Sequence, residues 1–235
     1  MPMPIMSRLK LYYDLMSQPS RAVVMFCKLA NIPYQDHPVA LRKGEHRSDK
    51  YLAEVNPFGL VPAINKDGFR LTESVAILRF LCREYPVADH WYPKDSQAQA
   101  RVDEYLEWQH ANTRLQCAMY FQTKWLIPMM TGEPVNEKRM KNFQAGMERV
   151  LDQLETVWLK ETPYIAGQTI TVADVLAACE LEQPTMVAYD VTAGRPRLAA
   201  WLERVRTDCQ PHYEQVHTMC RRIRDKFGGA TEAKL

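Results

Sequence analysis

The sequence predicts two domains of different class: a small α/β domain with a mixed sheet up to about Pro86, and an all-helical domain from about Ser96 onward. Three observations carry this. Before Pro86, short runs of strand character alternate with helical ones. Asp67-Gly68 lies between two short apolar-alternating runs and reads as a β-hairpin turn, because both turn positions favour positive φ. Beyond Ser96, apolar residues recur only at spacings of three and four, with no strand pattern left.

The elements follow in order. Leu9-Lys10-Leu11-Tyr12-Tyr13 is a short strand. Arg21 to Ala30 is helical, with Val24, Cys27 and Leu29 apolar. Tyr34 to Val39 is a second strand after Asn31-Ile32-Pro33. Ser48 to Val55 is a short polar helix ended by Asn56-Pro57, since a residue before proline avoids the helical region. The hairpin comes next, entered through Val61-Pro62-Ala63-Ile64 and left through Leu71-Thr72-Glu73-Ser74. Ser74 opens a helix whose apolar positions are Val75, Leu78, Leu81, Cys82 and Tyr85. Pro86 to Asp95 has no periodicity and is the expected linker.

Four or five long helical patterns make up the second domain. One runs through Met140, Phe143, Met147, Val150, Leu151, Leu154 and Trp158. Another opens at Thr171, with Asp174 three residues on as a capping partner and with Ile170 and Val175 placed to staple its start. Arg195-Pro196 to Val205 and Tyr213 to Phe227 supply the last two. The tail, Gly228 to Leu235, is expected to be loose.

Composition narrows the class of function. The 235 residues are 46% apolar and 25% charged, ordinary for a globular protein. A net charge of +2 is too small to imply nucleic acid or an anionic membrane. The cluster Arg221-Arg222-Ile223-Arg224 reads as a solvated face. The six cysteines (Cys27, Cys82, Cys117, Cys179, Cys209, Cys220) form no close pairs, so they read as free thiols, with neither a disulfide framework nor a metal site. Residues 1–8 lack an apolar core long enough for a signal peptide, and no apolar run approaches the ~20 residues of a spanning helix. A cytoplasmic protein is the expectation.

Two local features suggest a ligand. Val61-Pro62 leads into the hairpin, and Glu73-Ser74 stands at the positive end of the following helix, a ready anion site. This layout, together with Asp14-Leu15-Met16-Ser17-Gln18-Pro19-Ser20-Arg21, Asn56-Pro57 and Arg101 to His110 with its Trp108-Gln109-His110, resembles the cytosolic glutathione transferases, and the theta class among them. The resemblance covers essentially the whole chain. It implies a thioredoxin-like domain with a mixed four-stranded sheet over residues 7–86 that binds glutathione. It implies an all-helical domain over residues 95–228 that binds the electrophile.

Site residues follow from the resemblance. Ser17 matches the serine whose hydroxyl faces the glutathione sulfur. Val61, ahead of a cis Pro62, matches the residue whose backbone pairs with the cysteinyl part. Glu73 and Ser74 match the pair that holds the γ-glutamyl end, and His46 a histidine near the glycyl carboxylate. Leu60 stands where mammalian theta members often carry a lysine, which removes one charge contact to the glycyl end. Arg114 matches an arginine that reaches toward the glutathione site. The resemblance further implies a homodimer acting in detoxification, glutathione as co-substrate without a metal, a small hydrophobic electrophile, and reduction of organic hydroperoxides.

Each residue also has a plainer reading. Ser17 and Glu73-Ser74 can be simple helix starts, and His46 part of a solvated loop. Arg114 can be a salt-bridge residue, and Met119, Trp125 and Met129 core packing in place of an electrophile pocket. Tyr12 and Tyr13 are rival hydroxyls at the end of the first strand, with core packing as their plainer role. Ser17-Gln18-Pro19-Ser20 has serine at both positions of a Cys-x-x-Cys, so thiol–disulfide exchange has no nucleophile. The alternative to an enzyme is a non-enzymatic ligand-binding or interaction module on the same fold.

Overall fold

A computed structural model describes residues 9–232, with side chains through Phe227. The N-terminal segment read for a signal peptide and residues 233–235 of the tail lie outside the described residues. The chain divides into two units, Met1–Ala88 and Asp89–Leu235.

In the first unit, β1 (Leu9–Tyr13), α1 (Gln18–Leu29), β2 (Gln35–Pro38), α2 (Asp49–Glu54), β3 (Ala63–Lys66), β4 (Phe69–Thr72) and α3 (Ser74–Glu84) follow one another. The sheet order is β2-β1-β3-β4; β1 and β2 are parallel, and the other two pairings are antiparallel. This is the mixed four-stranded sheet expected. The hairpin turn has φ 52° at Asp67 and 92° at Gly68, as the Asp-Gly signal requires. Helix α1 begins three residues before the expected Arg21, because Pro19 falls in its first turn, where a missing N–H costs nothing. Leu9, Leu11, Ala63 and Ile64 of the sheet, Val23 to Phe26 of α1, and Ile77, Leu78 and Leu81 of α3 are buried. That apolar face is what holds two helices on a four-stranded sheet.

Register decides where the functional loops emerge. Tyr12 pairs with Ala63, and Ala63 with Thr72; in the parallel pair, Tyr13 lies beside Pro38. The chain leaving β1, the chain entering β3, the step from β4 into α3 and the loop after β2 therefore share one end of the sheet.

The second unit has α4 (Ser96–Trp108), α5 (Leu115–Phe121), α6 (Ile127–Thr131), α7 (Glu137–Gln153), α8 (Val172–Thr185), α9 (Pro196–Asp208) and α10 (His212–Glu232). Among the described residues α4, α7, α8, α9 and α10 are the long helices expected, and the short α5 and α6 are additional. Three π-turns, His110–Arg114, Gln122–Leu126 and Leu154–Trp158, interrupt or prolong them. Each wide turn inserts a residue and re-aims the apolar stripe, which blurs a 3.6 period. Two further expectations are corrected. The stretch read as an aperiodic linker holds a 3-10 turn at Asp89–Trp91, where Trp91 is buried and His90 Nδ1 donates to the Ile170 carbonyl at 2.7 Å. The tail read as loose continues α10 as far as Glu232.

Helix α8 is buried from Val172 to Pro184 and forms the axis of this unit. Its start carries the expected capping box. The Thr171 side chain caps the helix, and Asp174 Oδ2 accepts from Thr171 N at 2.9 Å and Thr171 Oγ1 at 3.0 Å. Asp174 Oδ1 adds two long-range bonds, from Ile165 N and Trp201 Nε1, each at 2.8 Å.

Glu182 is the second buried carboxylate of α8 with a full set of donors. Tyr213 Oη donates to it at 2.7 Å and Arg206 Nη2 at 2.9 Å. Burial pushes its carboxyl up, but His217, Arg206 and Tyr213 outweigh that and hold it down at about 2, against an ordinary 4.5. The folded state thus favours the ionised form. That contribution is fully present above pH 4.5 and is lost as pH falls toward 2. A shift of this size corresponds to roughly 3 kcal/mol. Urea unfolding of Glu182→Gln is expected to show a flatter loss of stability between about pH 5 and pH 3 than wild type. Parallel pH dependences in the two proteins would remove Glu182 from the acid response.

Candidate active site

Ser17 is the N-cap of α1, with extended backbone (φ −85°, ψ 122°), yet its side chain makes no capping hydrogen bond. Glu73 is the N-cap of α3 and likewise makes none. Elsewhere the same position is used as the rule predicts: Ser48, Asp95, Asn136 and Thr171 all accept from a first-turn amide. The simple helix-start reading thus describes where Ser17 and Glu73 sit but not what their side chains do. Glu73 also holds φ 68°, ψ 114°, a region that a residue with a Cβ occupies at a cost of order 1–3 kcal/mol. Backbone strain of this kind gathers where a side chain must be presented in one direction. Ser74, the first residue of α3, is half-buried beside it.

The Val61-Pro62 peptide is cis, as expected. Among the described residues, the Val61 amide and carbonyl enter no backbone hydrogen bond, so this peptide edge is left open just before β3. The loop ahead of it is fixed from below. Tyr51 Oη and Asn56 Nδ2 both donate to the Leu60 carbonyl at 2.8 Å, and Phe58 N donates to Asn56 Oδ1 at 2.9 Å. Leu60 therefore contributes its carbonyl to the loop and exposes its side chain. Tyr51 and Asn56 are not among the expected site residues; the Asn56-Pro57 pair was the available signal, and it read as a helix end and as part of the family resemblance, with no role for the Asn56 side chain.

His46 lies on a 3-10 turn, half-buried, and its Nδ1 is buried without a hydrogen bond. Burial and the neighbouring Arg47 lower its pKa, with Asp14 acting in the opposite sense. A neutral imidazole can still donate one hydrogen bond to a carboxylate.

Of the rival hydroxyls, that of Tyr13 is engaged, and Tyr12 is a packing residue by its ring. Tyr13 Oη donates to Asp36 at 2.9 Å, and burial together with Asp36 pushes it up to about 12. Tyr12 stacks on His37 at 4.8 Å and packs against the cluster of Val39, Tyr51, Val55 and Ala63. Burial also drives the Cys27, Cys82 and Cys209 thiols up to about 12, which disfavours their thiolates.

In the helical unit, Arg114 ends the first π-turn and pairs with the buried Glu180, Nη1 to Oε1 at 3.3 Å. Met119 and Trp125 are half-buried and Met129 is exposed, so none of the three is core. Arg222 and Arg224 are exposed and Arg221 pairs with Glu214, which is the solvated face expected. No helix among the described residues is long and apolar enough to cross a membrane, and no group of three potential metal ligands gathers among them.

The family models described as glutathione S-transferase N-terminal domain and C-terminal domain match residues 17–84 and 117–208. Rat glutathione S-transferase theta-1 is 44% identical over 92% of this chain and 90% of that protein. The chain belongs to the glutathione S-transferases, theta class. The human theta-1 protein is 42% identical over the same shares. The structure of human glutathione S-transferase T1-1 in its apo form superposes with a TM-score of 0.88 at 41% identity, covering 92% of this chain and 91% of that one. A human theta-class transferase in complex with the glutathione conjugate of 1-menaphthyl sulfate superposes at 0.84 with 39% identity, over 93% and 91%. Within the family fold, the residues read from the resemblance distribute as described: Ser17, His46, Leu60, Val61, Pro62, Glu73 and Ser74 belong to the four loops at one end of the sheet, and Arg114 belongs to the helical unit.

Proposed function

We propose that this theta-class transferase activates glutathione through the Ser17 hydroxyl and holds the tripeptide along the end of the sheet. The chain is a glutathione transferase, conjugating the thiolate of glutathione to small electrophiles. The observation that carries the residue assignment is the uncommitted Ser17 hydroxyl at the N-terminus of α1, at the same end of the sheet as the open Val61 backbone and the uncapped Glu73.

A free thiol has a pKa of about 8.5, so only a few per cent is ionised at pH 7. Lowering it by two units takes about 2.7 kcal/mol. A hydroxyl donating to a charged acceptor contributes about 1.5–3 kcal/mol, and a helix N-terminus about 0.3–1. Ser17 at the start of α1 supplies both. The gain in thiolate population is about thirtyfold at most, and the remainder of the rate comes from holding the electrophile against the sulfur. Val61 pairs with the cysteinyl backbone and Glu73 with Ser74 receives the γ-glutamyl group. His46 donates to the glycyl carboxylate; Arg114 is held by its ion pair with Glu180. The electrophile is small and hydrophobic, and organic hydroperoxides are a second substrate class. A cytosolic homodimer in detoxification completes the reading. A non-enzymatic module has no need to keep an uncapped Ser17 together with a strained, uncapped Glu73.

The γ-glutamyl contacts are remote from the sulfur and are made equally in ground and transition states, so they govern binding. Glu73→Gln and Ser74→Ala are expected to weaken calorimetric binding of an S-alkyl glutathione by roughly ten- to a hundredfold, with kcat for a small alkyl halide or epoxide near wild type. Unchanged binding in both variants returns Glu73-Ser74 to a helix start and favours the non-enzymatic module.

A further inference from the structure

The three residues ahead of Ser17 are held by two side chains of opposite charge. Asp14 Oδ1 accepts from Met16 N at 2.8 Å, and its Oδ2 accepts from Leu41 N at 3.1 Å. Arg21, one turn into α1 and wholly buried, directs Nη1 at the Leu15 carbonyl (2.9 Å) and the Met16 carbonyl (3.3 Å). The Asp14 carbonyl takes the Ser17 amide at 2.9 Å, and the Ser17 carbonyl takes the Arg21 amide at 3.0 Å. The turn that delivers Ser17 thus has Leu15 O, Met16 N, Met16 O and Ser17 N all engaged, while the Ser17 side chain makes no capping bond.

A serine at an N-cap ordinarily turns its oxygen back onto the first-turn amides. Holding it off that geometry requires the backbone on its N-terminal side to be set independently of the helix. A turn this short has too few internal hydrogen bonds to set itself against the conformational entropy that ordering its backbone gives up. Asp14 and Arg21 supply the missing constraints. Asp14 also ties this turn to Leu41, at the head of the loop that carries His46, so the sulfur and glycyl ends of the site share one anchor.

We propose that Asp14 and Arg21 are positioning residues, which lock the 14–17 turn so that the Ser17 hydroxyl is presented to the glutathione sulfur. The inference rests on the Ser17 assignment above. Neither side chain contacts the sulfur in this account; both act through the backbone.

The test is ultraviolet titration of the thiolate of bound glutathione in wild type, Asp14→Asn and Arg21→Lys, with a melting curve for each. Asp14→Asn keeps one acceptor oxygen and turns an amide donor toward the other backbone N–H, so one anchor is lost with little change in volume. The expected result is a rise of about one unit in the bound-thiol pKa, a tenfold loss of thiolate well below that pKa. The kcat deficit is then large near pH 6 and closes near pH 9, whereas partial unfolding lowers the rate at every pH. Arg21→Lys is expected to do the same if it folds; Asp14→Asn decides by itself if it does not. A wild-type protein that lowers the thiol pKa, with Asp14→Asn titrating within about 0.2 units of it, overturns the positioning role alone. A wild type that leaves the thiol at its free value overturns the Ser17 assignment, and this inference with it.

Discussion

Ser17→Ala is expected to lower kcat by roughly ten- to thirtyfold at neutral pH, the thiolate population that one hydrogen bond to the charged sulfur maintains. Affinity for an S-alkyl glutathione, which has no thiolate, should stay near wild type, because the lost interaction is made to the ionised sulfur. The pKa of the bound thiol should rise toward about 8.5. The structure adds a further expectation. An N-cap serine that caps costs about 1 kcal/mol of stability when replaced by alanine. Ser17 makes no such bond, so the variant should melt with wild type. Thiolate titration, inhibitor calorimetry and a melting curve on one preparation test the three together. A thiolate titration that matches wild type would remove Ser17 as the activator. Tyr12 would then be the hydroxyl to examine, since that of Tyr13 is bonded to Asp36.

Asp174→Ala is expected to have the largest effect on stability. Its carboxylate is wholly buried and accepts four hydrogen bonds, from Thr171 N and Oγ1, Ile165 N and Trp201 Nε1. Removing the acceptor strands three buried N–H donors, each costing about 1–3 kcal/mol when left unpaired. A loss of about 4 kcal/mol or more is therefore expected, in the range reserved for broken buried networks. From the sequence alone, a capping box was worth about 1 kcal/mol. The difference is the contribution of Ile165 and Trp201, which lie nine and twenty-seven residues away in the chain. Urea unfolding should show the shift, with poor soluble yield, while kcat of the folded fraction stays near wild type. A wild-type unfolding midpoint with lost activity would reverse the assignment and make Asp174 part of the chemistry.

These two residues show the limit of a linear reading. Both stand at helix starts, and both were legible as such from Ser-Gln-Pro and from Thr-x-x-Asp. Their side chains behave in opposite ways: Asp174 is consumed by the fold, and Ser17 is withheld from it. The residue types near Ser17 do not by themselves announce that outcome. In the positioning role proposed above, it is set by Asp14 meeting Leu41, twenty-seven positions on, and by a buried arginine turned back along the chain.

What the sequence determined by itself is what short-range physics controls. The alternation of Leu9 to Tyr13, the Asp67-Gly68 turn, the cap at Thr171 and the helix starting at Pro196 each depend on neighbours within one turn or one strand, and each appears where it was read. Family membership belongs here too, because it rests on motifs in the chain. Tertiary structure alone decided the rest. The three π-turns arise where packing asks a helix for an extra residue, which no period in the sequence announces. The open Val61 edge and the double bond to the Leu60 carbonyl depend on where Tyr51 and Asn56 come to lie. Strand register, a property of pairs distant in sequence, brings the Ser17, His46, Val61 and Glu73 loops to one end of the sheet. A side chain's type is local, but whether its polar atoms are free for a ligand depends on every donor and acceptor that folding brings within about 3 Å.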